Sequence, residues 1–248
     1  MNRVGASDYG RYLEAAKGCR ANRIYPSSIA LGYQTGDIFT WPCGTVLFWH
    51  YCGFGYLSGP VGDGVLDDIW ENLFMKETPR RFVLITEDKS VADCMLAKGG
   101  LAFSMRCEYV FPEGMAVEVP ETPYRVERIN AENIGKINGR IVPAFSWDSD
   151  EAFLKRGFGY AAFDGDEFCA VAFSSAVSDS EVDIGVETAE NYRRKGLASL
   201  LSQTMLKDIE ASGKRAVWAH AAFNPGSART ALSCGFVKTG ENYFLKKE

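Results

Sequence analysis

The sequence lacks an excess of basic residues. It has 27 Lys and Arg against 32 Asp and Glu, which gives a net charge of -5 at pH 7. A protein that binds nucleic acid regardless of base sequence needs a basic face to neutralise the phosphates. The composition therefore argues against a nucleic-acid partner.

Long apolar runs and paired cysteines are also missing. The N-terminal stretch MNRVGASDYGRYLEAAKGCR has no apolar core of the signal-peptide type, and no other stretch has the length of a membrane span. The seven cysteines are scattered without a CxxC pair, which is typical of reduced thiols rather than of a disulfide framework or a zinc site. We therefore expect a cytoplasmic protein with no membrane partner and no metal.

The chain does have material for a core, since 46% of its 248 residues are hydrophobic and 13% are aromatic. This length suits two small domains. Pro120 and Pro123 bracket a short polar stretch, and a strand-like run begins at Tyr124. We predict an N-terminal α/β domain over residues 1–121 and a second domain over residues 122–248. Both end in the order strand, helix, glycine, strand, which indicates a faint internal repeat.

Three stretches of the second half predict the local structure that matters below. FGYAAFDGDEFCAVAF predicts two strands joined at Asp164 and Gly165. NAENIGKING predicts a helix with Asn130 as its cap. EVDIGVET predicts a strand with two distinct faces. One face carries Val182, Ile184 and Val186, and the other carries Asp183, Gly185 and Glu187.

A basic cluster stands where this strand gives way to a helix. Arg193, Arg194 and Lys195 precede Gly196, and leucines then recur at helical spacing. Cations at a helix N-terminus oppose the helix dipole by ~0.3–1 kcal/mol each, whereas a phosphate there is favoured by the unpaired N–H groups. Gly196 would also let the backbone approach a ligand closely. The cluster predicts a phosphate-bearing ligand, and the alternative is a solvated helix start.

Two motifs carry a resemblance to a known family. DIGVETAENYRRKGLA resembles the acetyl-CoA signature of the GNAT superfamily of N-acetyltransferases, Arg/Gln-x-x-Gly-x-Gly/Ala, through Arg193, Gly196 and Ala198. NPGSARTALSCGF is similar to the second family signature through Asn224, Ser227 and the Gly-Phe pair that closes the helix. The resemblance implies a mixed α/β (α+β) fold with a central mixed sheet flanked by helices. The smaller domain in front of it would be a degenerate GNAT-like copy.

The resemblance also implies acetyl-CoA (coenzyme A) as the cofactor. Main-chain groups of one strand end would pair with the pantetheine arm, the following turn would hold the pyrophosphate, and Asn224 and Ser227 would contact the cofactor. The residues so implied are Val186, Glu187, Thr188, Arg193, Arg194, Lys195, Gly196, Leu197, Ala198, Asn224 and Ser227. The alternative for Asn224 and Ser227 is that they only start a helix, a position that suits both residue types.

The implied reaction is transfer of an acetyl group to a primary amine of a small molecule or peptide, by direct attack in a ternary complex. It needs a base for the ammonium proton. Asp183 and Glu187 share one strand face, and His220, with an ordinary pKa of about 6.5, is a third candidate. In each case the alternative is a structural or solvated side chain, and the sequence leaves the choice open.

One departure from the family pattern concerns the acid for the leaving thiolate. Many members carry a tyrosine seven residues after the Asn, and Ala231 stands at that position here. Tyr192 and Tyr243 are possible replacements. Cys234 suggests a covalent route, but a buried helix-end thiol is the commoner state of such a residue. The missing tyrosine keeps open a second function, a non-catalytic acyl-CoA sensor.

The acceptor side is less defined. PAFSWDSDEAF supplies aromatic and acidic side chains that would suit a cationic amine, but Trp147 and its neighbours would equally pack beneath the first helices. The sequence predicts no oligomeric state.

Overall fold

The computed structural model describes the backbone of residues 1–248 and every side chain except that of residue 63. The chain folds into two compact units. The first comprises Met1–Glu108, Ala221–Phe223 and Gly240–Glu248, and the second comprises Tyr109–His220 and Asn224–Thr239. The division into domains at 121/122 stays a prediction.

The first unit opens with a short strand and helices and continues with a three-stranded meander. Its elements in chain order are β1 (Asn2–Arg3), a 3₁₀ segment (Ala6–Tyr12), α1 (Leu13–Lys17), α2 (Ile24–Ala30), β2 (Gly36–Thr40), β3 (Val46–His50), β4 (Phe54–Ser58), α3 (Asp63–Ile69) with a π-helical extension (Trp70–Met75), β5 (Val83–Thr86), α4 (Lys89–Ala97) and β6 (Leu101–Val110). The end of β6, from residue 109, belongs to the second unit.

The chain after β6 repeats this order of elements, mostly within the second unit. They are β7 (Arg125–Arg128), two 3₁₀ turns (Ile134–Lys136 and Pro143–Phe145), α5 (Asp150–Arg156), β8 (Gly159–Asp164), β9 (Glu167–Val177), β10 (Glu181–Thr188), a 3₁₀ turn (Glu190–Tyr192), α6 (Leu197–Ala211), β11 (Arg215–Ala221), α7 (Pro225–Ser233) and β12 (Val237–Lys247). The hairpin predicted at Asp164 and Gly165 is confirmed as the β8–β9 turn, with Gly165 at φ +60°.

Each unit has a mixed sheet in which one parallel pair follows the antiparallel strands. The order is β1-β2-β3-β4-β5-β12-β6 in the first unit and β7-β8-β9-β10-β11 in the second. The parallel pairs are β4 with β5 and β10 with β11. The last strand of the chain completes the first unit, because Tyr243–Lys246 pair with Val83–Thr86. The mixed α/β fold predicted from the sequence is confirmed.

Helices cover both sheets with apolar side chains. In the first unit α3 and α4 pack Ile69 and Met95 against Trp49 and Leu84. In the second unit α6 lies on β8, β9 and β10 and buries its leucines at helical spacing. Trp147 is 2% exposed and donates its indole N–H to Ser174 O at 2.8 Å. It is therefore a core residue. Of the two alternatives for Trp147, packing and not amine binding describes its place.

The prediction of a helix over NAENIGKING is wrong. Only Ile134–Lys136 form a single 3₁₀ turn. Its N-cap is Asn133 and not Asn130, and no side chain caps it. Asn130 forms a separate turn ahead of it, since its Oδ1 accepts the N–H of Glu132 at 2.8 Å and of Asn133 at 3.2 Å. The backbone then leaves the helical region and reaches φ +134° at Gly139. An Asx-type turn has thus taken the place of a helix.

Candidate active site

The parallel pair of the second unit separates part-way along its length. In the described chain β10 and β11 are paired only from Glu181–Asp183 to Arg215–Val217. Opposite this point β9 carries an extra residue, because Asp183 faces Ala176 while Ile184 faces Ser174. A β-bulge bends the strands that contain it. Ile184–Thr188 therefore presents a strand edge that β11 does not cover, and an extended ligand arm can pair with such an edge.

The turn after β10 leads directly into α6. Arg194 has φ +63° and Gly196 has φ +78°, both in the left-handed region. Gly196 is the N-cap, and no side chain caps the helix. A Cβ at Gly196 would meet open space within 4 Å. The first N–H groups of α6, which have no intrahelical acceptor, are thus left for another partner.

The three basic side chains around this turn are exposed. The guanidinium of Arg193 donates from Nε to Thr188 O at 3.3 Å, which ties the turn back to the end of β10. The ammonium of Lys195 lies 4.6 Å from the ring centre of Tyr192. None of the ion pairs among the described side chains involves Arg193, Arg194 or Lys195, and no acidic residue lies in the first turn of α6.

Asn224 and Ser227 lie at the start of α7, where the sequence placed them. Asn224 is the N-cap, and its Oδ1 accepts the N–H of Ser227 at 3.1 Å. The hydroxyl of Ser227 accepts the indole N–H of buried Trp218 at 3.0 Å. Both side chains therefore have a structural task, and a contact with a cofactor stays a prediction.

Glu187 lies near the end of β10, half-buried. Its Oε2 accepts the backbone N–H of Ile141 at 2.9 Å. Gly139 lies against the same side chain, because a Cβ built there would come within 2.8 Å of Glu187 Cγ. One of the candidate bases is thus in contact with the loop that precedes α5, which the sequence did not predict.

Asp183 shares its strand face with Gly185 and Glu187, as predicted, because side chains alternate along β10. It is 3% exposed. At Gly185 this face is packed, since a Cβ there would come within 2.7 Å of the Phe173 ring. Asp183 is therefore a buried carboxylate at the point where β10 and β11 part.

His220 is not brought together with these carboxylates. Asp183 is level with Val217, and His220 lies on the alternate face of β11 together with Trp218. His220 stacks on Tyr109 with ring centres 5.2 Å apart, and its Nε2 lies 3.2 Å from the Tyr109 hydroxyl. Sequence reasoning missed Tyr109, because it reaches this position only through the end of β6.

Tyr192 and Tyr243 were the candidates to replace the missing tyrosine. Tyr192 has other hydrogen-bond partners, and Tyr243 lies in the first unit. Tyr192 is buried and donates its hydroxyl to Glu167 at 3.0 Å and Asp164 at 3.2 Å. Its burial and these carboxylates raise the pKa of Tyr192. Tyr243 belongs to the first unit, where it pairs with Thr86. Ala231 itself is fully buried in α7.

Cys234 matches the expectation of a buried helix-end thiol. It is 6% exposed and donates to Ser199 O at 3.6 Å. Burial raises the pKa of the thiol, which disfavours the nucleophilic thiolate.

The described residues contain no helix with both the length and the apolar character that crossing a membrane requires. They also contain no group of three or more His, Cys, Asp or Glu side chains arranged to hold a metal ion.

Comparison with known proteins gives a family model and several solved structures. The model of the GNAT acetyltransferases matches residues 30–244. A search of curated proteins finds no match. A GCN5-related N-acetyltransferase-like protein from Streptococcus suis is similar with a TM-score of 0.75 and 18% identity, over 98% of this chain and 100% of that one.

Two further structures are similar over nearly their whole length. A Drosophila protein has a TM-score of 0.66 and 16% identity, over 100% of this chain and 98% of that one. A tandem GNAT protein from the clavulanic acid biosynthesis pathway has a TM-score of 0.65 and 11% identity, over 99% of this chain and 97% of that one. At these identities the likeness shows the fold.

Proposed function

The chain belongs to the GNAT acetyltransferase family, and we propose that it moves an acetyl group from acetyl-CoA to a primary amine of a small molecule or peptide. Acyl transfer follows from the family. The donor, the acceptor and the residues in each role are the proposal. The single observation that carries it is the parting of β10 and β11 directly before an uncapped, basic helix start.

This geometry supports the following proposed binding roles. Acetyl-CoA would supply the acyl thioester. The free edge of Val186–Thr188 would pair with its pantetheine arm, and the amides of Gly196, Leu197 and Ala198 would bind the pyrophosphate. The charges of Arg193, Arg194 and Lys195 would add attraction for the phosphates. Asn224 and Ser227 would contribute from the start of α7.

The chemical roles fall to fewer groups. An amine acceptor must lose a proton, and Glu187, Asp183 and His220 are the candidates to receive it, directly or through water. Glu187 and Asp183 lie on one face of β10, whereas His220 lies on the other face of its sheet. The carboxylate face is therefore where we propose that the amine approaches.

We propose that the first unit is a degenerate GNAT-like copy without a cofactor. Its elements follow the same order as those of the second unit. The stretch SGPVGDGVLDD, which leads into and through its helix α3, has three aspartates and no basic residue. The similarity to a tandem GNAT protein supports this proposal.

The decisive experiment is isothermal titration of the full chain with acetyl-CoA and with CoA. An assay of thiol release against a panel of primary amines follows. We expect binding of both nucleotides and CoA release that depends on one class of amine. Absence of acetyl-CoA binding would refute the proposal.

A non-catalytic acyl-CoA sensor is the second candidate. The observation in its favour is Ala231, fully buried where many family members carry the tyrosine acid. Oriented amides can stabilise a leaving thiolate without an acid, so this observation does not by itself remove catalysis. Tight binding of acetyl-CoA with no acceptor-dependent CoA release would establish the sensor.

A further inference from the structure

The loop between the 3₁₀ turns of the second unit has one long-range anchor. We define the Glu187 loop as residues 138–142, of sequence NGRIV. Its other hydrogen bonds in the described structure are local: Asn138 Nδ2 donates to Lys136 O, and Phe145 N–H donates to Val142 O. The bond from Ile141 N–H to Glu187 Oε2, at 2.9 Å, joins it to a strand 46 residues away.

The sequence of the loop is adapted to this contact. Gly139 has φ +134°, a conformation that L side chains rarely adopt, and any Cβ there would collide with Glu187 Cγ at 2.8 Å. Only glycine lets the backbone lie on the glutamate side chain. Two residues later the Ile141 N–H reaches the carboxylate. A backbone amide that donates to a carboxylate makes a charge-assisted bond, which is stronger than a neutral one.

The place of this contact gives it a consequence for catalysis. Glu187 lies beyond the last β10–β11 pair, on the strand face that also carries Asp183. On the proposed function, this is the face from which the amine approaches the thioester. A loop held there forms a wall of the acceptor site, and its position depends on one carboxylate oxygen.

We propose that Glu187 is a positioning residue that holds the Glu187 loop as a wall of the acceptor site, rather than the base of the reaction. The inference rests on the proposed function for the location of the acceptor. The contact between loop and glutamate is independent of it. The role requires a hydrogen-bond acceptor at residue 187, whereas a base requires an ionisable group.

Limited proteolysis tests the contact without any ligand. Arg140 is exposed, so trypsin can cut the loop once it leaves its anchor, giving fragments 1–140 and 141–248. We expect Glu187→Ala and Gly139→Val to be cut at Arg140 at least about five times faster than the parent chain, since cleavage follows the open population. Glu187→Gln, which keeps an acceptor oxygen, should be cut within about twofold of the parent rate.

A matched glycine serves as the control. Gly135 lies in the preceding 3₁₀ turn, has no positive φ and has no neighbour within 4 Å of a built Cβ. Gly135→Ala should leave the cleavage rate unchanged. Parent-like cleavage of Glu187→Ala would overturn the proposal, and so would equal cleavage of Glu187→Ala and Glu187→Gln.

Steady-state kinetics with the amine found by the thiol-release assay test the role. We expect Glu187→Ala to raise the KM for the amine about tenfold or more with little change in the KM for acetyl-CoA. Glu187→Gln should recover most of the lost kcat/KM. Loss of kcat by both variants, with the acid limb of the pH profile removed, would make Glu187 the base and overturn the proposal. If the parent chain binds no acetyl-CoA, the proposed function fails, and proteolysis still decides the contact.

Discussion

The two units follow the same order of elements, yet their parallel strand pairs end differently. In the first unit β4 and β5 are paired from Phe54–Val83 to Tyr56–Ile85, close to the end of β5. In the second unit Ile184–Thr188 extends beyond the last pair with β11. β4 thus extends two residues beyond its last pair with β5, whereas β10 extends five residues beyond its last pair with β11. On the proposed function, the longer free edge of β10 is the one that pairs with the pantetheine arm.

The charged residues at α3 and at α6 also differ between the two units. In the last turn of α3, Asp68 accepts hydrogen bonds from the N-terminal ammonium at 3.0 Å and the Trp41 indole at 2.7 Å. These donors lower the pKa of Asp68. Asp67 pairs with Lys98. Asp67 and Asp68 are thus paired within the protein, whereas the cations before α6 have no ion-pair partner among the described side chains. This difference supports the proposal that the second unit binds the cofactor and the first does not.

The largest expected effect comes from a side chain introduced at Gly196, in the turn before α6. It tests whether this turn binds the phosphates. Gly196→Val forces a β-branched residue to φ +78° and places a side chain where the phosphates would lie. We expect at least about 100-fold weaker acetyl-CoA binding in calorimetry. Gly213→Val is the matched control, because Gly213 ends the same helix at φ +69° with open space around it. Equal affinities of the two variants would contradict the phosphate site.

Acidification should destabilise the protein through His50 of the first unit. His50 is fully buried, and burial with the nearby Arg80 charge lowers its pKa to about 3. The unfolded chain takes up this proton below its ordinary pKa of about 6.5. The contribution of neutral His50 to the free energy of unfolding is therefore fully present above that pH. It is lost as the pH drops towards 3, and the loss amounts to roughly 3 kcal/mol at pH 4. Urea unfolding at pH 7, 5 and 4 measures it.

The control for this effect is His50→Gln, which removes the titrating group. Its free energy of unfolding should fall less between pH 7 and pH 4 than that of the parent chain. A parallel fall in both proteins would show that other groups cause the acid sensitivity.

Removal of one charge should have a moderate effect. Arg194 has φ +63°, so Arg194→Gly removes the guanidinium while relaxing the backbone. We expect about three- to tenfold weaker acetyl-CoA binding and a shallower dependence on salt. Asn22→Gly makes the same backbone change at φ +41° in the first unit and should leave the affinity unchanged. If Arg194→Gly bound acetyl-CoA as tightly as the parent chain, the Arg194 side chain would be solvated and would not contribute to binding.

The smallest expected effect is a change in amide hydrogen exchange, which compares β10 with β4 directly. In hydrogen exchange, saturating CoA should slow the amides of Ile184–Thr188 and of the first turn of α6. The amides of Phe54–Ser58 should exchange at the same rate with and without CoA. Equal protection of both strands would indicate that CoA binds to both units or stabilises the whole chain.

Much of the candidate site could be predicted because its signals are local. The Asp164–Gly165 hairpin, the leucine face of α6 and the Asn224 cap each depend on residues a few positions apart. The failed helix over NAENIGKING shows the limit of such signals. There Asn130 favoured a turn as strongly as a cap, and two glycines weakened the helix.

The relations between distant residues could not be predicted in the same way. His220 was grouped with Asp183 and Glu187 because all three are titratable and lie on neighbouring strands. Register places His220 on the other face, and β6 supplies Tyr109 beside it. The loop against Glu187 comes from a segment whose sequence gives no hint of a partner 46 residues away.

The sequence by itself determined the periodicities, the turns and the charge before α6, because each is a property of neighbouring residues and their backbone preferences. Only the tertiary structure decided where β10 leaves β11, which strand face each ionisable group occupies, and which loop the Glu187 carboxylate binds. These depend on register and on a bulge in β9, and strand register is set by packing over the whole sheet rather than by any local stretch.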